Sequence, residues 1–416
     1  MPLLPCRGDI PELTPFSRGG METIMAKSIK QFVHQAGALK RIPVSGTFEL
    51  TPRCNLSCKM CYIHMSGEEQ ASRGCELTAE EWLEVGRRAV DAGMIYLLIT
   101  GGEPLLRPDF VTIYSEMVKM GVLVSVNTNG TLITPEILDC FAKHPPEVVN
   151  VTLYGASPET YGGLCGVRGG FEKAFAGVRA LKEAGVRVAI NTTFTTRNAE
   201  DMEALAAFAR EVGVPIRTAA YTFPPVRNRH EDCRINLTAE EQGVLNARFE
   251  YLTSTAEQVA SKVAYLTRVL AEEEARPKGD LPARGKPTAC MAGRGMFWMA
   301  WNGEMYPCGM LSEYAAPLDR RAMDFKAMWE ATRDRTETIY LPALCDGCAL
   351  RRVCPSCAAV THSNHGNTEV LVEDMCTYTK TYARAFLEIA EAEGVGGCAE
   401  GSAPSDGEET EPFVCL

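Results

Sequence analysis

A repeated alternation of apolar runs and amphipathic segments restricts the fold of this 416-residue chain more than any other feature. Six runs have the composition of buried strands, and they begin at Gly46, Met94, Val122, Val148, Arg187 and Pro215. Successive starts lie 26 to 48 residues apart, which is near the roughly 30 residues of a strand–helix unit. Nearly continuous apolar strands of this kind are typical of a parallel sheet.

Helix-start signals occupy the intervals between these runs. We expect capping residues at Thr78, Thr134, Asn198 and Thr238, two of which are followed three residues later by glutamate, as in a capping box. The pattern predicts an α/β fold, a partial (β/α)6 TIM-like barrel, in which chemistry lies at the C-terminal ends of the strands. A doubly wound open sheet is the alternative, because periodicity does not distinguish the two.

Changes in composition divide the chain into five predicted units. A segment rich in proline, glycine and charge follows Arg276, and short cysteine-containing segments come after it. The predicted units are a partly disordered N-terminal lead at 1–44, the partial barrel at 45–235, a helical linker at 236–288, a small cysteine-rich iron-sulfur domain at 289–380, and a terminal helix with an acidic disordered tail at 381–416.

Composition and charge exclude several classes of protein. With 46% hydrophobic and 23% charged residues, the chain is typical of a globular protein. Its net charge of −11 argues against nucleic acid and anionic membranes as partners. The basic cluster at 227–234 is interrupted by acidic residues and is interpreted as a solvated loop. Because there is neither an apolar run long enough to span a bilayer nor a signal peptide, we expect a cytoplasmic protein without membrane contact.

Seventeen cysteines are an unusual number for such a chain. Because a chain of this size folds without disulfides, the thiols indicate metal or redox chemistry in a reducing compartment. Cys54, Cys58 and Cys61 form a C-x3-C-x2-C pattern directly after the first strand. Three thiolates on one loop can bind three irons of a [4Fe-4S] cube and leave the fourth iron open. The alternatives are a zinc knuckle with His64 as the local fourth ligand, or three cysteines in a helix core.

This loop, with Tyr62 behind it, resembles that of the radical SAM superfamily. The resemblance implies that the open iron binds the amino and carboxylate groups of S-adenosylmethionine (SAM). It continues at the family's GGEP segment, which meets the SAM amino group and is formed here by Gly101, Gly102, Glu103 and Pro104. A glycine pair also allows a ligand to approach the backbone closely.

Further SAM contacts are implied by the same resemblance. The NTNG segment, with Asn127 and Asn129, resembles the family's TNG turn, and a plain helix-entry turn is the alternative. VTLYGAS occupies the place of a ribose-contacting SLDG segment, so that Thr152 replaces the serine and Tyr154 the acid. Arg168 is placed like an arginine that pairs with the SAM carboxylate in some relatives, and a surface arginine is the alternative.

A second group of cysteines follows residue 289, and its members are Cys290, Cys308, Cys345, Cys348, Cys354, Cys357 and Cys376. Their spacing resembles the SPASM domain, the auxiliary-cluster extension of some radical SAM enzymes, although the last short interval is one residue shorter. The resemblance implies three [4Fe-4S] clusters in all, with one auxiliary cluster on Cys345, Cys348, Cys354 and Cys376 and the other on Cys290, Cys308 and Cys357.

Two fully ligated auxiliary clusters would need eight cysteines, and this segment supplies seven. We therefore expect one iron that is open or has a non-cysteine ligand, for which Cys233 is a distant outside candidate. A zinc ribbon on the middle four cysteines is the alternative. Cys140 and Cys165 are interpreted as structural, and His362 and His365 as decoration of a loop or helix after the cysteines.

The resemblance implies an enzyme that reductively cleaves SAM to a 5′-deoxyadenosyl radical and oxidatively modifies a substrate by hydrogen abstraction. The expected substrate is a ribosomally synthesised peptide, which would gain a thioether or carbon–carbon crosslink, and the expected electron donor is a low-potential flavodoxin or ferredoxin. The alternatives are a small-molecule radical dehydrogenase and an anaerobic sulfatase-maturase-like enzyme. Gly309 after Cys308, where sulfatase maturases have an aspartate, argues against that activity. The GGEP segment argues against a non-enzymatic electron carrier, and no catalytic acid or base is identified.

Overall fold

The computed structural model describes residues 29–63, 65–223, 235–277, 282–288 and 290–395. Several predicted features lie outside these residues, and they are the lead as far as residue 28, His64, the basic cluster at 227–234 including Cys233, and the acidic tail from residue 396. The helices and strands that position the chemistry are all within the described ranges.

One sheet runs through the molecule. Its strands are β1 (Ser45–Glu49), β2 (Tyr96–Thr100), β3 (Leu123–Thr128), β4 (Val149–Thr152), β5 (Val188–Thr192), β6 (Ile216–Thr218), β7 (Met296–Met299), β8 (Glu304–Tyr306) and β9 (Ala316–Pro317). They lie in the order β6-β5-β4-β3-β2-β1-β7-β8-β9, parallel from β6 to β7 and antiparallel beyond it. The first six follow chain order, without the reversal that defines a doubly wound sheet. The predicted α/β partial barrel is therefore confirmed.

The helices of the barrel are α1 (Ile29–Lys40), α2 (Gly67–Ser72), α3 (Ala79–Asp91), α4 (Phe110–Lys119), α5 (Pro135–Lys143), α6 (Pro158–Cys165), α7 (Gly170–Glu183) and α8 (Met202–Val212). Those after residue 235 are α9 (Ala239–Thr253), α10 (Ala256–Glu274), α11 (Phe325–Thr336), α12 (Ala358–His365) and α13 (Glu373–Ala392). Thr78, Thr134 and Thr238 accept backbone hydrogen bonds at the starts of α3, α5 and α9, as predicted. Within the described ranges, none of the helices has the length and apolar character needed to cross a bilayer.

The predicted cap at Asn198 is wrong. Residues Ala199–Asp201 form a 3-10 turn before α8, and the Asn198 side chain makes no capping bond. Its Oδ1 instead accepts a hydrogen bond from Thr195 N at 2.7 Å, and its Nδ2 donates to Tyr154 O at 3.1 Å. The amide therefore ties the loop after β5 to the end of β4, because its donor and acceptor reach two separate backbone segments.

Alternate side chains of the sheet face two different environments. On the helix side, Phe48 of β1 packs against Trp82 of α3 with ring centroids 4.9 Å apart, and both side chains are fully buried. Burial of each such side chain contributes about 1.5–3 kcal/mol. The inner face carries polar side chains near the C-terminal strand ends, at Glu49, Thr100, Asn127, Asn150, Thr152 and Asn191. This end of the sheet is therefore suited to a polar ligand.

The C-terminal segment packs directly on the barrel. Strand β7 pairs with β1, where Phe48 is opposite Met299, so that the sheet crosses the predicted boundary at 289. Helices α9 and α10, in the predicted linker, share a second apolar core with α13. Within that core, Asn246 Nδ2 donates to the Tyr378 hydroxyl at 3.0 Å. The division into five units remains a prediction, whereas the sheet and this core both run across its boundaries.

Candidate functional site

The loop after β1 is held by charged side chains from outside its own sequence. The Arg53 guanidinium and the Thr51 hydroxyl each donate to Glu76 Oε1 at 2.7 Å. Arg107 is almost fully buried and donates to Leu50 O at 2.9 Å. The hydrogen bond that Arg53 donates to Glu76 raises the pKa of Arg53 above its usual value. No motif marks Glu76 or Arg107, because their partners in this loop lie 23 to 57 residues away in the chain.

The loop brings Cys54, Cys58 and Cys61 together. Cys61 N donates to Cys58 O at 3.0 Å, which closes a tight turn between two of the thiols. Burial raises the pKa of Cys54 to about 12. A hydrogen bond with the Cys165 thiol, together with burial, raises the pKa of Cys58 well above its usual value. A thiol must lose its proton to bind iron. This group of buried thiols therefore fits a metal group whose positive charge replaces the protons on sulfur.

The GGEP segment packs against the backbone of the cysteine loop. Gly102 N donates to Thr51 O at 2.7 Å, and Glu103 N donates to Arg53 O at 2.8 Å. A Cβ on Gly101 would lie 2.7 Å from Thr51 O, and one on Gly102 would lie 2.3 Å from Arg53 O. The need for two glycines, attributed above to an approaching ligand, is explained by this approach of the two backbones.

The Glu103 carboxylate is fully buried and engaged within the protein. Its oxygens accept hydrogen bonds from Leu105 N at 3.1 Å, the Thr128 hydroxyl at 2.8 Å and Asn129 N at 2.7 Å. Burial outweighs these bonds and raises the pKa of Glu103 to about 7. The side chain therefore braces the turn after β3, and a ligand at GGEP would meet the backbone of this segment.

The NTNG turn reaches the cysteine loop through Asn129. Its Nδ2 donates to Asn55 Oδ1 at 2.8 Å and lies 3.9 Å from Cys54 Sγ. Asn127 is on the inner face of β3, where its Oδ1 accepts a hydrogen bond from Asn150 Nδ2 at 2.9 Å. The structure thus brings Asn129 to the cysteines, whereas Asn127 lies deeper in the barrel.

The remaining SAM contacts implied by the resemblance lie around the same strand ends. Thr152 ends β4 on the inner face, opposite Asn191 of β5. Tyr154 lies beside the Cys58 and Cys61 thiols, and burial raises the pKa of its hydroxyl. Arg168 is exposed in the turn between α6 and α7. Of these residues, Tyr154 is therefore the one brought against the cysteine loop.

The seven C-terminal cysteines form two groups. The first is Cys290, Cys308 and Cys357, and the second is Cys345, Cys348, Cys354 and Cys376. Burial, followed by the neighbouring thiols, raises the pKa of Cys308 to about 12 and raises that of Cys345. Part of Cys290 is exposed, but its sulfur is buried. In the part of the chain that the structure describes, no three His, Cys, Asp or Glu side chains converge tightly enough to hold a single metal ion.

Tyr62 connects the cysteine loop to the first of these groups. Tyr62, Cys308 and Cys357 each pack against one buried apolar cluster, whose members include Met310 and Ala358. The Trp298 side chain, on the neighbouring strand β7, donates from Nε1 to Glu49 Oε2 at 2.9 Å on the inner face of the barrel. The two cysteine-bearing regions therefore adjoin the same apolar cluster.

A comparison with known protein families agrees with this geometry. Residues 48–209, from β1 to the middle of α8, match the family described as the Radical SAM superfamily. This chain contains a radical SAM domain. It is accordingly an enzyme, and the cofactors of its radical SAM domain are SAM and a [4Fe-4S] cluster. The matched segment holds Cys54, Cys58, Cys61, the GGEP segment and the NTNG turn.

Curated relatives extend the similarity beyond the radical SAM domain. The AdoMet-dependent heme synthase of Methanosarcina barkeri is 27% identical over 79% of this chain and 95% of its own length. The PqqA peptide cyclase of Ruegeria pomeroyi is 27% identical over 64% of this chain and 67% of its own length. The mycofactocin maturase MftC of Mycobacterium tuberculosis is 28% identical over 69% of each chain.

Solved structures share the fold of the chain as well as that of the radical SAM domain. Streptococcus suis SuiB has a TM-score of 0.60 at 16% identity and covers 88% of this chain and 84% of its own. The protein anSMEcpe, solved with bound AdoMet, has a TM-score of 0.61 at 16% identity and covers 84% of this chain and 98% of its own. Both matches extend well beyond residues 48–209, so that the C-terminal segment is part of the shared fold.

One residue beside the radical SAM loop was interpreted from the sequence as merely structural. Cys165, the last residue of α6, is fully buried and in contact with the Cys58 thiol. Its carbonyl accepts a hydrogen bond from Ser57 N at 2.9 Å. In the sequence, the four-residue spacing of Tyr161 and Cys165 indicates that both side chains lie on one face of a helix. Only the fold reveals that this face meets the cysteine loop.

Proposed function

We propose that this chain is a radical SAM peptide maturase that forms an oxidative crosslink in a ribosomally synthesised peptide. The observation that carries the proposal is one buried apolar cluster, against which Tyr62 of the cysteine loop, Cys308 and Cys357 all pack. It brings the SAM-cleaving loop next to a second site rich in thiols, where an auxiliary cluster could accept an electron from an oxidised substrate. A net oxidation needs such an acceptor, since hydrogen abstraction removes only one electron and one proton.

In this proposal Cys54, Cys58 and Cys61 hold the SAM-binding cluster. When bound, that cluster supplies the electron that cleaves SAM into methionine and a 5′-deoxyadenosyl radical. The backbone of Gly101, Gly102 and Pro104 would face the SAM amino group, and Glu103 would hold that segment in place from behind. Asn129, Thr152 and Arg168 are the further contacts proposed, in addition to Tyr62 and Asn127.

The C-terminal cysteines form a SPASM-type domain in the same proposal. Cys345, Cys348, Cys354 and Cys376 would hold one auxiliary cluster, and Cys290, Cys308 and Cys357 the other. The proximity of the thiols within each group supports this assignment. The three-thiol group leaves one iron without a cysteine, and this iron would be free to take a thiolate from the peptide.

The names of relatives support a peptide substrate. Two of them are a PqqA peptide cyclase and a mycofactocin maturase, and SuiB has been solved bound to the precursor peptide SuiA. Sulfatase maturation needs an aspartate at the position that Gly309 occupies here. A Cβ on Gly309 would lie 3.1 Å from the Trp298 ring, which argues against a larger side chain at this position and against sulfatase maturation. Electrons would come from a flavodoxin or ferredoxin, and the low-potential clusters suit an anaerobic cytoplasm.

A tetrapyrrole substrate is the second candidate. Relatives named AdoMet-dependent heme synthase align with 79% to 80% of this chain, more than the 64% aligned with the PqqA peptide cyclase of R. pomeroyi. The same SAM-cleaving loop and auxiliary sites would serve either substrate class. The two candidates differ in what enters the barrel, so that substrate-dependent turnover decides between them.

The first experiment tests the reaction class. Anaerobic protein is incubated with SAM and dithionite, and 5′-deoxyadenosine is quantified by mass spectrometry. We expect formation well above that of a Cys58→Ala variant, with Cys75→Ala, an exposed thiol outside the motifs, behaving like the wild type. No 5′-deoxyadenosine above the Cys58→Ala level would contradict the proposal and favour an iron-sulfur electron carrier.

The second experiment tests the substrate. Short cysteine-containing peptides encoded beside the gene are incubated with the enzyme, SAM and reductant, and a parallel reaction contains a carboxylated tetrapyrrole. We expect a peptide mass lower by two hydrogens, without change in the tetrapyrrole. Conversion of the tetrapyrrole with no change in any peptide would contradict the peptide assignment while leaving the radical SAM chemistry intact.

A further inference from the structure

Helix α6 is fastened to the middle of the cysteine loop. Ser57 N donates to Cys165 O at 2.9 Å, and Lys59 N donates to Leu164 O at 3.0 Å. The chain then leaves the helix through Gly166, whose φ of 74° favours glycine. These bonds flank Cys58 on both sides, so that its side chain is directed at the last turn of the helix. The Cys58 thiol lies against the Cys165 thiol there.

Tyr161 lies one turn earlier on the same helix face and is unusual. Its side chain is fully buried, yet its hydroxyl makes no hydrogen bond of normal geometry within the described residues. The ring is fixed from behind, since a Cβ on Gly170 would lie 2.9 Å from it. The hydroxyl lies beside the Cys165 and Cys58 thiols. A buried hydroxyl without a partner costs folding free energy, so that its presence needs an explanation.

We propose that Tyr161 and Cys165 donate hydrogen bonds to the sulfur atoms of the SAM-cleaving cluster at its Cys58 corner and thereby raise its reduction potential. The inference rests on the proposed function in that Cys54, Cys58 and Cys61 must hold a cluster. Both residues are positioning residues, because they act through cluster sulfur and not on the substrate.

The physical basis is the charge that the cluster gains on reduction. Hydrogen bonds to cluster sulfur stabilise the more negative reduced state, and they are one of the main determinants of iron-sulfur potentials. Once Cys58 binds iron as a thiolate, it becomes an acceptor to which the neighbouring Cys165 S–H can donate. The unpartnered Tyr161 O–H then gains an acceptor in the same sulfur-rich volume. Burial strengthens both interactions, because water does not compete for the donors.

A purely structural role makes a different prediction for Tyr161. If its ring only fills space, Tyr161→Phe removes a hydroxyl that has no partner, and the cluster potential does not change. If the hydroxyl donates to cluster sulfur, the same variant lowers the potential while the packing of the ring is preserved. Cys165→Ser retains a donor and Cys165→Ala removes it, so that this pair separates hydrogen bonding from the loss of side-chain volume.

The test is an EPR-monitored redox titration of the reconstituted, full-length protein. The SAM-binding cluster is identified as the reduced species whose EPR signal shifts when SAM is added. For Tyr161→Phe and for Cys165→Ala we expect the ratio of reduced to oxidised cluster at a fixed potential to fall about tenfold, equivalent to about 59 mV for a one-electron couple. Cys165→Ser should lie nearer to the wild type. Cys140→Ala, which alters another buried cysteine, is the matched control and should show no change.

The outcomes separate this inference from the proposed function. Wild-type potentials in both Tyr161→Phe and Cys165→Ala, with the SAM-dependent EPR shift retained, would overturn the inference alone. A wild-type protein without a SAM-responsive cluster would overturn the proposed function and the inference with it. If Cys165→Ala loses iron, Tyr161→Phe decides the question, because it removes one oxygen atom from a side chain that binds no iron.

Discussion

At the scale of single residues, Gly102 tests whether the GGEP segment and the cysteine loop must touch. In Gly102→Ala the new methyl would lie 2.3 Å from Arg53 O, so that one of the two backbones must move. Overpacking of this kind costs about 1–3 kcal/mol. Because the displaced backbone carries the cysteines proposed to hold the SAM-binding cluster, we expect 5′-deoxyadenosine formation to fall about tenfold or more.

The matched control for Gly102→Ala is Gly163→Ala. A Cβ on Gly163 meets nothing within 4 Å, and the residue lies inside helix α6. Alanine there should stabilise the protein by about 0.5–1 kcal/mol. SAM cleavage and the thermal unfolding midpoint are measured for both variants. Equal activity in the two would indicate that close contact of the two backbones is not needed.

Glu103 provides a pH-dependent test of the buried brace behind GGEP. Its pKa rises from 4.5 to about 7 because the carboxyl is fully buried. The folded protein therefore binds a proton more tightly than the unfolded chain between these values. Its contribution to stability is complete below pH 4.5 and is lost as the pH rises to 7. The difference corresponds to about 3 kcal/mol at most.

We therefore expect the stability of the wild type relative to Glu103→Gln to decline from pH 5 to pH 7 and to level off above it. Glutamine does not titrate, and its amide nitrogen cannot accept the hydrogen bond that Asn129 N now donates. Thermal midpoints measured anaerobically across this range provide the comparison. Glu68→Gln, at an exposed position, is the control. Parallel pH profiles for wild type and Glu103→Gln would contradict the assignment.

The positions of individual site residues could be predicted from the sequence where those residues belong to a short motif. The spacing of Cys54, Cys58 and Cys61 predicted a common loop because ligands close in sequence need no long-range information. The role of Glu103 was not visible, since its partners after β3 are 25 and 26 residues away. Cys165 was interpreted as structural because the contact with Cys58 depends on how α6 docks, and one sequence contains no record of that docking.

At the scale of elements, strand β7 joins the C-terminal segment to the barrel through Trp298 and Glu49. The indole donates to a fully buried carboxylate at 2.9 Å. In Trp298→Phe that buried carboxylate loses a hydrogen-bond donor, at a cost of about 1–3 kcal/mol. We expect a lower thermal midpoint and weaker substrate turnover, because β7 and the segment leading to Cys308 lose an anchor on the barrel.

Trp329→Phe is the matched control for this anchor. Trp329 is buried, whereas Trp298 is half-buried, and the Trp329 Nε1 donates to a neutral acceptor, Arg41 O, at 3.0 Å. Hydrogen bonds to charged groups contribute more than those to neutral ones. The thermal midpoint should therefore fall further in Trp298→Phe than in Trp329→Phe. The opposite order would mean that the Glu49 contact does not hold β7.

The six barrel strands were predictable because each is a local apolar run followed by helix-start signals. Strand β7 was not, because its pairing with β1 joins segments about 250 residues apart, as the Trp298–Glu49 contact shows with a separation of 249. At Asn198 the local sequence leads to a wrong prediction. Its sequence context predicts a cap, but contacts with Thr195 and Tyr154 compete for the same amide.

At the scale of the whole molecule, the C-terminal cysteines are held by two different supports. Cys308 and Cys357 pack against the same apolar cluster as Tyr62 of the cysteine loop. The other group adjoins α10, where Glu273 Oε2 accepts a hydrogen bond from Ala349 N at 2.8 Å, next to Cys348. One group is therefore attached to the barrel and the other to the helices α9, α10 and α13, which makes the two proposed auxiliary clusters separable by mutation.

Iron content tests this separation. We expect a [4Fe-4S] cluster to remain bound by three thiolates, as proposed for the first cysteine loop, but not by two. Cys308→Ala leaves two cysteines in its group, whereas Cys348→Ala leaves three. From about twelve irons per chain in the wild type, we expect Cys308→Ala to fall to about eight and Cys348→Ala to stay near twelve with an altered EPR spectrum. Both should still cleave SAM, as should the control Cys75→Ala. Loss of about four irons in Cys348→Ala, with none lost in Cys308→Ala, would contradict the proposed division of the cysteines.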